Sequence, residues 1–231
     1  MTKSALIVGA GDGISAAFAR LLRREGARVA LAARDVQKLS GLIGEIEGSA
    51  FPCDAADAQS VRRLFESTDT HFGTPDVVLF NPSYRTRGPI ADIKPEDVEQ
   101  ALMVGAYGGF LVGQEAAKRM LQRGQGAIFF TGASASVKGY ALSAPFAMAK
   151  FALRGLAQSM ARELQPKNIH IAHFVIDGGV ASPARGRTAP ADQPDSLLDA
   201  DAIAQTYLAV LKQHRSAWTS EVELRPWVER F

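Results

Sequence analysis

The sequence predicts an α/β protein in which one doubly wound, mostly parallel β-sheet carries α-helices on both faces. Two observations point to this class. Short apolar runs of strand length alternate with segments of helical periodicity along all 231 residues. The first apolar run, residues 5–8, passes directly into a glycine-rich turn and then into a helix. Parallel strands joined through helices need crossover connections, and these place helices on both faces of the sheet.

Length and composition limit the classes of function. A chain of 231 residues is long enough for one well-cored domain, so we expect a single domain over residues 1–231. The net charge of +2 provides no broad basic surface for nucleic acid. The single cysteine, Cys53, excludes an intramolecular disulfide. The N-terminal apolar run is far too short to span a membrane and lacks a signal-peptide cleavage pattern, so we expect a cytoplasmic protein.

The elements are predicted from periodicity and from turn residues. Strands are expected at residues 5–8, 29–33, 50–52, 77–80, 127–131, 169–176 and 221–224, and helices at 14–25, 39–46, 57–71, 95–123, 146–164 and 202–211. The long helix 95–123 begins at Pro95 and contains Gly105, Gly108, Gly109 and Gly113. Each of these glycines costs about 1 kcal/mol relative to alanine, so we expect close packing against this helix to offset the cost.

The glycine turn after the first strand is the first candidate site. A chain that leaves a strand and enters a helix at once needs a positive φ or a close backbone approach, which glycine permits. The N-terminus of the helix then offers free N–H groups and a partial positive charge to a pyrophosphate. A tight turn without a ligand is the alternative. The candidate phosphate-binding residues are Gly9, Gly11, Asp12, Gly13 and Ile14.

The segment Gly9-Ala-Gly-Asp-Gly13-Ile-Ser15 resembles the Gly-x-x-x-Gly-x-Gly loop of the short-chain dehydrogenase/reductase family. Ser15 stands where the family has its last glycine, and its added β-carbon predicts a loop slightly further from the phosphates. The resemblance continues along the whole chain. It implies a Rossmann-like fold, a nicotinamide cofactor, a small carbonyl or alcohol substrate, and a homodimer or homotetramer built on the long helix and the helix of Phe146.

Three further residues are candidates for cofactor binding. Arg34 comes first after the second strand, where an arginine pairs with a 2′-phosphate; this favours NADP, with NAD as the alternative and a solvated arginine as the simpler interpretation. By the resemblance, Asp54 hydrogen-bonds the adenine amino group, although it or Asp57 could instead cap the next helix. Asn81 matches a family asparagine that ties the central strands together and lies over the cofactor ribose.

The catalytic pattern of the family is a serine followed by Tyr-x-x-x-Lys. Lys150 matches the lysine, which in the family also holds the nicotinamide ribose, but Phe146 stands where the tyrosine is expected. The serine position falls on Ala133 or Ser134, and we favour Ser134. Gly105 stands where the family usually has an active-site asparagine. Because phenylalanine keeps the ring and deletes the acid, the expected loss of rate is about 10² to 10⁴.

The last third of the chain adds a turn and a loop. Gly178 matches the glycine of a family Pro-Gly turn whose backbone contacts the nicotinamide, while Asp177 replaces the proline. Residues 182–198 are rich in Pro, Ala, Arg and Asp without periodicity, which predicts a mobile lid over the site. His170 and His173 fall on opposite faces of a strand, and no cysteine or carboxylate completes a ligand set, so no metal site is expected.

Two hypotheses of function follow from this pattern. The first, which we favour, is an NADP-dependent oxidoreductase with an altered set of catalytic residues. Its proton donor could be Tyr107, Tyr140 or Ser143, although each is expected to have a structural role. The second is a catalytically silent protein that binds NADP(H) as a sensor or scaffold, and it is supported by Phe146 and Gly105. Turnover of NADPH with carbonyl compounds separates the two.

Overall fold

The computed structural model describes residues 2–182 and 186–229, which build a parallel sheet of seven strands in the order β3-β2-β1-β4-β5-β6-β7. The strands are β1 (Ser4–Val8), β2 (Arg28–Ala33), β3 (Ser49–Pro52), β4 (Val77–Phe80), β5 (Gly126–Thr131), β6 (Ile169–Ile176) and β7 (Glu221–Leu224). The helices are α1 (Ile14–Arg24), α2 (Ser40–Ile46), α3 (Ala58–Phe72), α4 (Pro95–Leu102), α5 (Gly108–Arg123), α6 (Ala144–Leu164) and α7 (Ala200–Leu211).

Apolar side chains cover both faces of the sheet. On one face, Phe18 of α1 and Tyr207 of α7 pack against Phe174 of β6, and the rings of Phe174 and Tyr207 lie 3.9 Å apart. On the other face, α3, α5 and α6 cover the sheet, with Phe65 and Leu153 fully buried in the same cluster as β4 and β5. Strands buried on both faces explain why the sequence shows continuous apolar runs rather than alternation. The predicted doubly wound sheet is confirmed.

The direction of winding reverses between β1 and β4. These strands are neighbours in the sheet, with Val8 opposite Phe80, yet two strands and three helices separate them in the chain. The loops after β1 and β4 therefore turn to opposite faces and leave a crevice at their carboxyl ends. The predicted cofactor residues lie on these loops and on those after β2 and β3.

The predicted long helix is one helical segment with an irregularity that the sequence did not predict. Between α4 and α5, Met103–Tyr107 forms a π-helical turn that includes Gly105. The glycines allow close packing: a β-carbon on Gly109 would lie 2.4 Å from Leu153 Cδ1, and one on Gly105 would lie 3.0 Å from Ala149 Cβ. The packing expected to offset the cost of these glycines is therefore present, and a π-turn is often found beside a functional site.

None of the helices in the described part of the chain combines the length and the apolarity that a bilayer-crossing segment requires.

Candidate functional site

A cleft of about 710 Å³ opens at the carboxyl ends of the central strands. Most of the predicted cofactor residues line it, namely Gly9, Gly11, Asp12, Gly13, Ile14, Arg34, Asp54 and Asn81. The cleft also takes in Val104 of the π-turn and Arg187, which the sequence did not single out. The fold therefore brings the loops after β1, β2, β3 and β4 together at one site, as ligand sites of open parallel sheets require.

The glycine turn leaves its backbone open to the cleft. Gly9 has a φ of +78°, and a β-carbon there would lie 2.5 Å from the backbone nitrogen of Pro82. At Gly11 and Gly13 a β-carbon would meet no atom within 4 Å, so the backbone faces open space. Helix α1 begins after Gly13 without a side-chain cap, which leaves its first N–H groups available to an anion.

Ser15 and Asn81 hold the glycine turn in place. Ser15 is 1% exposed, and its hydroxyl donates to the carbonyl of Gly9 at 3.2 Å. The side-chain amide of Asn81 donates to Ser15 Oγ at 2.8 Å, and its backbone N–H donates to Val8 O at 2.9 Å. Ser15 thus bonds within the loop, a role that the sequence did not predict. The predicted wider spacing between loop and phosphates stays a prediction.

Arg34 lines both the cleft and a smaller neighbouring pocket of about 360 Å³. Arg34 is exposed and forms no ion pair with any of the residues that the structure describes. Arg63 of α3 lines the same smaller pocket, 3.9 Å from Asp57. Two guanidinium groups thus face one pocket, which suits a phosphate group. Nothing in the sequence distinguishes Arg63 from its neighbour Arg62, since only the fold brings it to Arg34.

The alternatives for Asp54 are resolved by the hydrogen bonds at the start of α3. Asp57 caps this helix, because its carboxylate accepts from the N–H groups of Gln59 and Ser60. The carboxylate of Asp54 accepts from the N–H of Ala56 at 3.0 Å and is exposed to both pockets. The interpretation of Asp54 as the helix cap is therefore wrong, and Asp54 keeps its predicted place at the cleft.

Lys150 is buried at the centre of α6. It is 3% exposed, and its ammonium donates to the carbonyl of Thr131, the last residue of β5, at 2.8 Å. Burial lowers the pKa of Lys150 to about 8. Phe146 lies one helical turn earlier, with its ring centre 5.9 Å from Lys150 Nζ. The guanidinium of Arg85 lies over the same ring, 5.0 Å from its centre. Two cations therefore flank the Phe146 ring.

Ser134 begins a 3₁₀ turn, Ser134–Ser136, that lies against α6. The Ser134 side chain is partly exposed, and its hydroxyl makes no hydrogen bond within the described residues. Ser136, in contrast, is fully buried and accepts from the N–H of Ala133 at 3.1 Å. Of the two positions considered for the catalytic serine, only Ser134 carries a hydroxyl, and that hydroxyl is available to a ligand. Its catalytic role stays a prediction.

The turn after β6 is fixed by the C-terminal segment. Gly178 has a φ of +151°, and a β-carbon there would lie 2.7 Å from Pro226 Cδ. Asp177 is 1% exposed, with its carboxylate 3.2 Å from Arg225 and 3.4 Å from Lys138. Gly178 and Lys150 are the two predicted cofactor residues that the structure leaves outside the cleft lining. Their contacts with a cofactor stay predictions.

The predicted lid, residues 182–198, lies at the rim of the cleft, although its residues 183–185 are outside the described part of the chain. Val180 bridges Leu198 at the end of the segment, whereas the bridge between Ser182 and Arg187 lies within the segment. Val180, Ser182 and Arg187 line the cleft. Opening and closing of this segment stays a prediction.

The two histidines of β6 are packed within the fold. His170 stacks on Trp218 with ring centres 4.6 Å apart. His173 is 1% exposed, and its Nδ1 lies 3.0 Å from a carboxylate oxygen of Glu221. Burial lowers the pKa of His173 to about 4, so its ring is neutral at physiological pH. No group of three or more metal-ligating side chains occurs within residues 2–182 and 186–229.

Comparison with known proteins gives consistent matches over most of the chain. The family described as short chain dehydrogenase matches residues 3–192. A short-chain dehydrogenase from Rhodopseudomonas palustris is 36% identical, with 97% of this chain and 99% of that chain covered and a TM-score of 0.84. A metagenomic short-chain oxidoreductase solved in complex with NADP is 26% identical, with 98% of each chain covered and a TM-score of 0.83. The human 3-oxoacyl-[acyl-carrier-protein] reductase is 28% identical over 173 residues, which cover 74% of this chain and 73% of that protein.

Proposed function

Because this chain belongs to the short-chain dehydrogenase family, we propose that it binds NADP(H) and transfers hydride between that cofactor and a carbonyl or alcohol substrate, using an altered set of catalytic residues. Membership makes it an oxidoreductase of the short-chain dehydrogenase type acting on a small molecule. The observation that carries the proposal is the single cleft that unites the glycine turn, Arg34 and Asn81. The NADP complex of the metagenomic relative supports the choice of cofactor.

The side chains and backbone of the cleft fit a nicotinamide dinucleotide. The open backbone at Gly11 and Gly13 and the uncapped N-terminus of α1 would hold the pyrophosphate. Arg34, with Arg63 beside it, would pair with the 2′-phosphate, and Asp54 would face the adenine end. When bound, the nicotinamide ring supplies or accepts the hydride.

The residues of α6 and of the 3₁₀ turn would then handle the substrate oxygen. Ser134 would position it through its hydroxyl, and Lys150 would contribute positive charge. With a pKa of about 8, Lys150 is mostly charged at neutral pH and releases a proton in mildly alkaline solution. Phe146 has no proton to give at any pH. Slow reduction of ordinary carbonyl substrates is therefore expected, since loss of a general acid costs about 10² to 10⁴ in rate.

The proposal is tested by titrating the protein with NADPH and with NADH while nicotinamide fluorescence is followed. We expect NADPH to bind more tightly, and Arg34→Ala to reduce this preference about tenfold because a charge-assisted hydrogen bond is lost. Arg62→Ala is the matched control, since Arg62 lines neither pocket. Equal affinities in the unmodified protein would contradict the choice of NADP, and no binding of either nucleotide would contradict the whole proposal. The silent sensor predicts the same binding but no oxidation of NADPH with any carbonyl compound.

We also propose that the protein is a homodimer or homotetramer through the π-turn and helices α5 and α6. Large apolar side chains are exposed on these elements, namely Tyr107, Phe110, Met148 and Phe151. Such a patch is typical of an interface between identical subunits in a closed arrangement. Light scattering at micromolar concentration is expected to give the mass of two or four chains, and the mass of one chain would contradict the proposal.

A further inference from the structure

Besides Arg34, three arginines beside the candidate site have no carboxylate partner among the described residues. They are Arg85 and Arg87, in the loop after β4, and Arg187, at the rim of the cleft. Arg187 donates to the carbonyl of Val180 at 3.4 Å, and Arg85 lies over the ring of Phe146. Other arginines of the described chain pair with carboxylates, as Arg20 does with Glu45 and Arg154 with Glu221, although Arg28 packs on Phe72 without one. The three guanidinium groups named above lie beside the place where the substrate is expected.

The loop that carries Arg85 is held on both sides. The hydroxyl of Tyr84 donates to a carboxylate oxygen of Asp97 at 2.8 Å. The N–H of Gly88 donates to the carbonyl of Leu142, just before α6, at 3.1 Å. The Arg85 guanidinium also lies over the Phe146 ring, and this contact favours the observed position of the side chain. Arg85 is thus oriented in advance, which reduces the entropy that a ligand must overcome.

The positive charges of Arg87 and Arg187 lie close enough to Arg85 to repel it. Partial burial and the positive charges of Arg87 and Arg187 lower the pKa of Arg85. Cations that repel one another without a carboxylate between them attract an anion from solution. A guanidinium that keeps its five donors free can bind a carboxylate or a phosphate through two parallel hydrogen bonds.

We propose that the substrate is an anionic carbonyl compound whose carboxylate or phosphate group binds Arg85, with Arg87 and Arg187 strengthening the attraction. This inference rests on the proposed function, since it assigns the substrate class of that same site. Arg85 and Lys150 face one ring, at 5.0 and 5.9 Å from its centre. Because both groups lie near the same ring, one small molecule can place its anionic group at Arg85 and its carbonyl group toward Lys150, and a short oxo acid or a short ketone phosphate is the simplest such compound. Arg85 is a specificity-determining residue in this arrangement.

The experiment measures binding rather than turnover. Isothermal titration calorimetry is performed on protein saturated with NADP⁺, so that the phosphate positions of the cleft are filled. The titrants are a short 2-oxo acid, its methyl ester, and dihydroxyacetone phosphate. We expect the acid to bind about 10- to 100-fold more tightly than the ester, as a charge-assisted pair predicts. Tighter binding of the phosphate than of the acid supports the same site with phosphate as its preferred anion.

Three variants locate the effect. Arg85→Met removes the charge while keeping an apolar stem over Phe146, and it is expected to bring the acid and the ester to equal affinity. Arg85→Lys is expected to restore part of the difference. Arg162→Met, on the exposed part of α6, is the matched control and is expected to leave the difference unchanged. Equal affinity for acid and ester in the unmodified protein, or a difference that survives Arg85→Met, overturns the inference.

The outcome separates this inference from the proposed function. If the protein fails to bind either nicotinamide nucleotide, the proposed function is wrong. The acid and the ester are then compared on the free protein, where dependence on Arg85 still supports an anion site and independence overturns it. If the nucleotide binds but the acid shows no advantage over the ester, the inference alone is overturned.

Discussion

The two halves of the site differ in how they depend on individual side chains. The cofactor half, built on the loops after β1 to β4, presents mainly backbone groups of a glycine turn and the uncapped start of α1. The catalytic half, built on the π-turn, α6 and the turn after β6, presents side chains. This second half contains Gly105, Phe146 and Asp177, at which we propose that the chain departs from the family pattern. A backbone site tolerates exchange of its side chains, whereas proton transfer requires a correctly placed group with a dissociable proton.

The two halves also differ in their cost to stability. Ser15 and Asn81 bond within the cofactor half and satisfy one another. The ammonium group of Lys150, in contrast, is almost completely buried and donates a hydrogen bond to the carbonyl of Thr131. Burying a charge in this way reduces stability, and proteins retain such groups where function needs them. Lys150 therefore lowers the stability of this half, and the Phe146 ring beside it offers no hydrogen-bonding group.

In the cofactor half, substitution of Gly9 is expected to have the largest effect on nucleotide binding. Gly9→Ala is expected to lower nucleotide affinity about 100-fold, because a positive φ costs of order 1–3 kcal/mol for other residues and the added carbon would lie 2.5 Å from Pro82 N. Affinity is measured by nicotinamide fluorescence. Gly155→Ala is the matched control: a β-carbon at Gly155 meets no atom within 4 Å, so this change is expected to stabilise α6 by about 0.5–1 kcal/mol. Unchanged affinity in Gly9→Ala would contradict the role of this turn.

Lys150→Met tests the catalytic half. We expect this substitution to remove turnover but to stabilise the free protein by about 2 kcal/mol at pH 7. The pKa of Lys150 falls on folding, from 10.5 to about 8, so the unfolded chain binds the proton more tightly than the folded one. The charge therefore destabilises the fold fully below pH 8, and this penalty shrinks as the pH rises toward 10.5.

Urea unfolding at pH 7 and at pH 10 measures this effect. The advantage of Lys150→Met over the unmodified protein is expected to be smaller at pH 10. Lys118→Met serves as the control, because the side chain of Lys118 is 55% exposed and its ion pair within the described part of the chain is with the neighbouring Glu115, so a change within about 0.5 kcal/mol is expected at both pH values. A lower free energy of unfolding in Lys150→Met at pH 7 would show that the buried charge of Lys150 does not destabilise the fold.

The sequence predicted the cofactor half better than the catalytic half for a physical reason. Residues 5–26 combine a strand, a glycine turn and a helix whose signals are all local, and the structure matches them closely. The π-turn at Gly105 depends on contact with Ala149, 44 positions away in the chain. The approach of Arg63 to Arg34 is equally a product of the tertiary fold. Local periodicity carries no information on such contacts.

The charged surroundings of Phe146 were beyond prediction for the same reason. The contact between Arg85 and Phe146 arises only because the loop after β4 meets α6 in the fold. The choice between Asp54 and Asp57 as helix cap needed hydrogen-bond geometry, since both residues suit a cap by type.

The most direct test of the account is the oxidation of NADPH by the unmodified protein and by Phe146→Tyr, measured on one panel of aldehydes, ketones and oxo acids. A phenol at this position would lie near Lys150 and Arg85, whose positive charges favour its ionised form and lower its pKa. We expect slow turnover by the unmodified protein and a gain of about 10²-fold in Phe146→Tyr. Rapid turnover by the unmodified protein, with no gain in Phe146→Tyr, would contradict the claim that this position has lost the acid.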